Sequence, residues 1–188
     1  MDTIDFKVVV AGPFGAGKTT FISHISNLPV VGTEVATSGN EAAFKPTTTV
    51  GLEYGTFSID AGGFDIRLLL YGTPGQQRFS FMWDVVSVGA DGFLILVDAS
   101  RPETWDDADH ILRAFRAKAP TPCLVGANRA ADHPQGLAAV QARFGRPYDV
   151  PIVPCDVTDE HRSRVVLGEL IGLIIDQPPV APDAVPAL

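Results

Sequence analysis

The chain has 188 residues, 46% of them apolar and 19% charged, which is the size and composition of one globular domain able to bury a single sizeable core. A formal net charge of −8 excludes generic binding to nucleic acid or to an anionic membrane, because no basic block is present to displace counterions from phosphates. No stretch reaches the about 18 apolar residues of a membrane span and Met1-Asp-Thr-Ile-Asp-Phe-Lys7 lacks the parts of a signal peptide, so no direct membrane insertion and a cytoplasmic location are expected.

Residues 6–11 form an apolar, β-branched run that reads as a strand. Directly after it comes Gly12-Pro-Phe-Gly-Ala-Gly-Lys-Thr19, which matches the phosphate-binding pattern G-x-x-x-x-G-K-[ST], and residues 20–25 can begin a helix. Each loop position has a physical task. Gly12, Gly15 and Gly17 let the backbone turn and bring successive N–H groups around phosphates, where the helix N-terminus adds partial positive charge. Lys18 would then sit against the β- and γ-phosphates, and the Thr19 hydroxyl would ligate Mg²⁺. The expected nucleotide-contacting set runs through Gly12, Pro13, Phe14, Gly15, Ala16, Gly17, Lys18, Thr19 and Thr20.

Residues 31–49 are polar and rich in Gly and Thr, longer than an ordinary connection and therefore expected as a functional or mobile loop. Residues 53–59 and 64–71 read as two strands joined by a turn at 61–63, an antiparallel hairpin. Beyond it the pattern alternates: strands at 92–98, 122–127 and 151–154, helices at 103–118, 136–144 and 159–175. Continuous apolar strands separated by helices predict an α/β fold with a six-stranded, mostly parallel sheet, one antiparallel edge strand and helices on both faces. The loops at the strand C-terminal ends then share one edge, where a ligand binds. Residues 178–188, with four prolines counted from 177 onward, read as a disordered tail after a domain spanning 1–177. Cys123 and Cys155 read as buried free thiols, and the four histidines have no ligand spacing.

Read in order, the loops at 47–54, Gly72-Thr-Pro-Gly-Gln-Gln-Arg-Phe79, Asn128-Arg-Ala-Ala-Asp132 and Pro154-Cys-Asp-Val157 resemble those of Ras-like small GTPases over nearly the whole chain. Lys45-Pro-Thr-Thr-Thr-Val50, Tyr71-Gly-Thr-Pro-Gly-Gln76 and Phe81-Met-Trp-Asp84 look more closely like the conservon-type small GTPases of actinobacteria. The resemblance implies GTP/GDP and Mg²⁺ as ligands, and a roadblock-type regulator and other conservon-encoded proteins as partners. It also implies roles by position. Thr49, with Thr47 and Thr48 as register alternatives, would complete the Mg²⁺ shell. Gly75 would offer its N–H to the γ-phosphate, and Gln76 would orient the attacking water unless it is a plain loop amide. Arg78 reads as a surface arginine. Cys155, Asp156 and Val157 would present backbone N–H groups to the base, and Asn128 and Arg129 would flank it.

Two departures from the family pattern stand out. Its second switch carries Asp-x-x-Gly, whose Asp holds a water on Mg²⁺, but Gly72 stands there. Its base-reading Asp is replaced by Ala131, so that either Asp132 reaches the base from a shifted loop or Asp132 is a loop carboxylate and guanine selectivity is weakened. Phe14, where small residues are common, is expected to slow turnover. The resulting expectation is a GTP-binding switch with slow GTP hydrolysis. The alternative is a pseudo-GTPase that holds nucleotide as a scaffold; a P-loop kinase would need a lid or acceptor-site arginines, and neither is found.

Overall fold

The computed structural model describes residues 2–32, 34–36, 47–49, 51–60, 62–118 and 120–177. Most of the loop expected at 31–49, Lys45 and Val50 in the first switch, and the tail at 178–188 therefore lie outside the described residues.

Strand β1, Asp2–Ala11, leads through the glycine-rich loop into helix α1, Lys18–Ile25. A small antiparallel pair follows, β2 at Glu34–Ala36 and β3 at Thr47–Thr49. Then come β4, Glu53–Asp60, and β5, Phe64–Gly72. Helix α2, Phe81–Ser87, precedes β6, Gly92–Asp98; α3, Trp105–Arg116, precedes β7, Cys123–Asn128. Helices α4, Pro134–Val140, and α5, Arg146–Tyr148, lead to β8, Ile152–Cys155, and to α6, Glu160–Ile175.

Six strands form one sheet in the order β4-β5-β1-β6-β7-β8, parallel throughout except for the β4–β5 hairpin at the edge. The predicted architecture is thus the observed one. Its two cores follow from side-chain alternation along the strands. Val8 and Val10 of β1 face α1 and α6 with Phe21, Ile22, Leu167 and Leu170, whereas Val9 and Ala11 face α2 and α3 with Trp83, Ile111, Leu112 and Phe115. Strands β6 and β7 are buried along their whole length, which is why they read as uninterrupted apolar runs.

Several boundaries differ from the sequence expectation for identifiable reasons. Strand β1 starts at Asp2 because it pairs with β5 along its length, and Arg67 of β5 makes a two-pronged contact with Asp5 (2.8 and 2.6 Å) that no apolar pattern announces. The helix expected at 103–118 opens with one 3₁₀ turn, Pro102–Thr104, before α3. The one expected at 136–144 starts at Pro134, a residue suited to a first helical turn, and widens into a π turn at Gln141–Gly145 in which Phe144 stays fully buried. Helix α6 follows its expected course, with the Asp159 carboxylate capping it by accepting from the Arg162 N–H (3.1 Å).

Candidate nucleotide site

The loop from Gly12 to Thr19 connects the C-terminal end of β1 to the N-terminus of α1, at the strand-end edge of the sheet. Gly12, Gly15 and Gly17 have φ of 145°, 77° and 106°, a region that a side chain disfavours. Gly17 is also the residue from which α1 starts, and a Cβ there would lie 2.8 Å from Asn128 Nδ2 and 2.9 Å from a Val157 methyl. Lys18, 8% exposed, donates to the carbonyls of Gly12 and Pro13 at 2.8 Å each, so its ammonium is drawn back over the loop's concave side. The helix end, the turned backbone and this ammonium converge on one small volume suited to a polyphosphate. Pro13 and Ala16 are buried, Phe14, Gly15, Thr19 and Thr20 half-buried.

Beside the loop lies an acidic group to which the motifs assign no role. Thr19 Oγ1 donates to Glu53 Oε1 at 2.5 Å, and Glu53, the first residue of β4, is only 2% exposed. Its cross-strand neighbour is Gly72. A Cβ on Gly72 would lie 2.8 Å from Glu53 Oε2 and 2.6 Å from Ile22 Cδ1, so the carboxylate fills the space that a side chain at 72 would take. These residues fit a divalent cation on the phosphates. They offer a helix-start hydroxyl with a carboxylate behind it, while among the described residues no group of three or more His, Cys, Asp or Glu could hold a metal by itself. Mg²⁺, which takes its remaining ligands from water and phosphate oxygens, suits so sparse a protein shell. The backbone of Thr49 is in β3, and its side chain lies outside what is described.

The segment after β5 closes on the loop from the other side. Thr73 N–H donates to Val10 O (3.0 Å), and a Cβ on Gly75 would meet Phe14 N at 2.6 Å and Lys18 Nζ at 2.7 Å. Only a residue without a side chain brings the main chain this near the lysine. Gln76 is buried next to it, at 9% exposure, whereas Arg78 is exposed and stacks on Phe79 with its guanidinium 5.0 Å from the ring centre. The Thr73 hydroxyl is buried and has no hydrogen-bond partner among the described residues.

On the opposite flank Asn128 ties three loops together. Its amide donates to Ala16 O (3.0 Å), and its Oδ1 accepts from Arg129 N (2.9 Å) and Val157 N (3.2 Å). Arg129 has φ of 58° and its guanidinium pairs with the buried carboxylate of Asp98, which also accepts from the Ser100 N–H (2.9 Å) and hydroxyl (2.6 Å). His24 Nδ1 lies 3.1 Å from Val157 O. Asp156 accepts from the hydroxyl (2.6 Å) and N–H (3.0 Å) of Thr158, and those bonds hold its carboxyl below the ordinary 3.8. Burial pushes the thiols of Cys155 and Cys123 up to about 12, and both are free. Asp132 is exposed on a groove that it shares with Ser100, Pro102, Trp105 and His133, and Ala131 is exposed beside it.

The structure therefore brings Lys18, Thr19, Gly75 and Gln76 together on the phosphate flank, and Asn128, Arg129, Asp156 and Val157 on the other. Residues to which sequence reasoning gives no role in the site are Glu53, Asp98 and Arg101. The Arg101 guanidinium, held by Glu103 at 3.0 Å, leans against the loop, where a Cβ on Gly15 would lie 2.7 Å from its Nη1. For Glu53 a signal existed: pairing outward from the glycine turn of the hairpin sets it opposite Gly72.

A six-stranded sheet with this loop between its central strand and first helix defines a P-loop nucleotide-binding domain. Comparison with known proteins narrows the class: a profile describing the Ras family matches residues 7–143, and the chain belongs to that family. Over 111 residues it is 28% identical to Ras-related protein YPTC6 of Chlamydomonas reinhardtii and 27% identical to Ras-related protein RIC2 of Oryza sativa subsp. japonica. It is 26% identical to Ras-related protein RABA2a of Arabidopsis thaliana over the same length. Each match takes in 59% of this chain and 46% of the relative, so the chain spans about half the length of the curated relatives it matches. No described helix is long and apolar enough to cross a membrane.

Proposed function

We propose that this protein is a cytoplasmic GTP-binding switch that hydrolyses GTP slowly with Mg²⁺ and acts by binding partners in one nucleotide state. The observation that carries the reading is the contact of Gly75 with the phosphate loop. The second switch passes so near the loop that a Cβ on Gly75 would lie 2.6 Å from Phe14 N and 2.7 Å from Lys18 Nζ, so a terminal phosphate lodged at Lys18 and the backbone at 75 would compete for, or bond across, the same few ångströms. That is the physical requirement of a switch: occupancy at one atom position must alter the placement of a segment.

In this reading the amides of residues 14–19 and Lys18 hold the phosphates and stabilise charge on them. Thr19, with Thr49, would hold Mg²⁺, which would neutralise charge on the phosphates. Gln76, next to Gly75, would position the water that attacks the terminal phosphorus, and Phe14 at the loop's crest would slow turnover by crowding that approach. Asn128, Arg129 and the backbone of 155–157 would line the base.

Output would pass through α2. Trp83 and Val86 of that helix are in the core, while Phe81, Val85 and, just past its end, Val88 are 66, 68 and 73% exposed, an apolar stripe that starts two residues after the second switch. A stripe so placed supports a partner whose grip depends on nucleotide state, and the sequence resemblance to conservon-type proteins supports a roadblock-type regulator as that partner.

The test is to identify nucleotide carried by the purified protein and to follow phosphate release from GTP with Mg²⁺. Release that is slow in the wild type and abolished in Gln76→Leu is expected; no release with or without a roadblock-type partner would leave the second reading. That reading, a scaffold holding nucleotide without hydrolysis, is favoured by the exposure of Asp132 away from the loop and by Gly72.

A further inference from the structure

Building on the reading of this site as one for a Mg²⁺–nucleotide, we propose that Glu53 is its metal-side acid. It reaches across from β4 to do the work that a carboxylate at position 72 of β5 would do, and the glycine at 72 leaves room for it and for Ile22. Three independent features of the structure converge on this assignment. Glu53 and Gly72 are direct cross-strand neighbours, so the two positions deliver side chains to one place from adjacent backbones. The space is used once only, since a Cβ at 72 would come within 2.8 Å of Glu53 Oε2 and 3.1 Å of Glu53 Cβ. Finally, the carboxylate is aimed at the loop: its other oxygen takes the Thr19 hydroxyl proton at 2.5 Å.

The last contact has a chemical consequence. A hydroxyl that ligates a cation must turn a lone pair toward it, and it does so best when its proton is already taken by an acceptor on the far side. Glu53 is such an acceptor, and its negative charge, 2% exposed and screened little by water, raises the preference of the site for a divalent cation. Burial of Glu53 is secured by Gly32, where a Cβ would lie 3.1 Å from Glu53 Cγ. A carboxylate is therefore not missing from this site but enters it from the neighbouring strand.

The experiment measures release of a fluorescent GDP analogue as free Mg²⁺ is varied, and again in EDTA, for wild type, Glu53→Gln, Glu53→Ala and the double variant Glu53→Ala/Gly72→Asp. Gln keeps an oxygen for the Thr19 proton and the side-chain volume, so the fold should stay near wild type, and release in EDTA gives each variant its own metal-free reference. The Mg²⁺ concentration that slows release should rise about 10- to 100-fold, the usual effect of losing a group behind a metal ligand. Returning a carboxylate from position 72 in the double variant should recover most of the Mg²⁺ response that Glu53→Ala loses. An unchanged Mg²⁺ dependence in Glu53→Gln would overturn the proposal and leave Glu53 as a clamp on Thr19. Failure of wild type to bind the analogue at all would overturn the nucleotide reading itself, a result distinguishable because it appears before any variant is compared.

Discussion

The two flanks of the site are built to different standards. On the phosphate flank every group that matters is enclosed: Lys18 and Glu53 are buried, Thr19 is bonded to Glu53, and Gly75 is pressed against the loop. On the base flank the frame is just as firm, with Asn128 bridging Ala16, Arg129 and Val157, yet the side chains that would read a base are few. Ala131 brings no carboxylate, and Asp132 is exposed on a groove beside α3. In the proposed reading the contrast puts most of the binding energy on one side: a rigid frame would orient the base, while the phosphates would be gripped.

Substitutions on each flank separate their contributions. Phe115→Ala, in the core between α3 and the sheet against Trp83 and Phe93, should cost about 3–5 kcal/mol of stability in denaturant melts and set the scale for a purely structural loss. Asn128→Ala should cost about 3 kcal/mol, since three hydrogen bonds of roughly 1 kcal/mol each are lost together, and should loosen nucleotide binding by either flank. Lys18→Ala should weaken GDP binding about 100-fold in a competition assay through loss of a charge-assisted contact, with little change in the fold. Ala131→Asp should raise discrimination of GDP over inosine diphosphate about 10-fold, and Asp132→Ala should alter it less than about twofold; the reverse order would move base reading to Asp132.

The smallest expected effect concerns protons. The Asp156 carboxyl is held low by Thr158, so it stabilises the folded loop at pH above its unfolded value of 3.8, and that contribution disappears as pH falls through the lowered folded value. Thr158→Ala should flatten this slight acid dependence of the melting temperature. The raised thiols have the opposite sign: their contribution is complete below 9 and is lost as pH climbs toward about 12, and native Cys123 and Cys155 should resist alkylation at pH 8.

Most of the fold was legible because the buried strands announce themselves: the runs at 92–98 and 122–127 are apolar, and the strands they form, β6 and β7, are interior ones buried along their length. What escaped reading depends on pairing and not on composition. The polar start of β1 is held by β5, the β2–β3 pair sits inside a stretch that reads as loop, and α2 packs through just two buried residues, Trp83 and Val86. The same division holds within the site. A contiguous phosphate loop is a local signal, whereas Glu53 and Gly72 are 19 positions apart in sequence numbering and become one site only through hairpin register. Asp98 reads as a strand end, and only the structure reveals that it holds Arg129.

Competition of GDP, GMP and inosine diphosphate against a fluorescent GDP analogue in Mg²⁺ reads directly whether affinity resides on the phosphate flank, as proposed. Removing the β-phosphate should weaken binding by about 100-fold or more, while removing the guanine amino group should weaken it less than about 10-fold. GMP binding as tightly as GDP while inosine diphosphate is rejected would contradict the proposal.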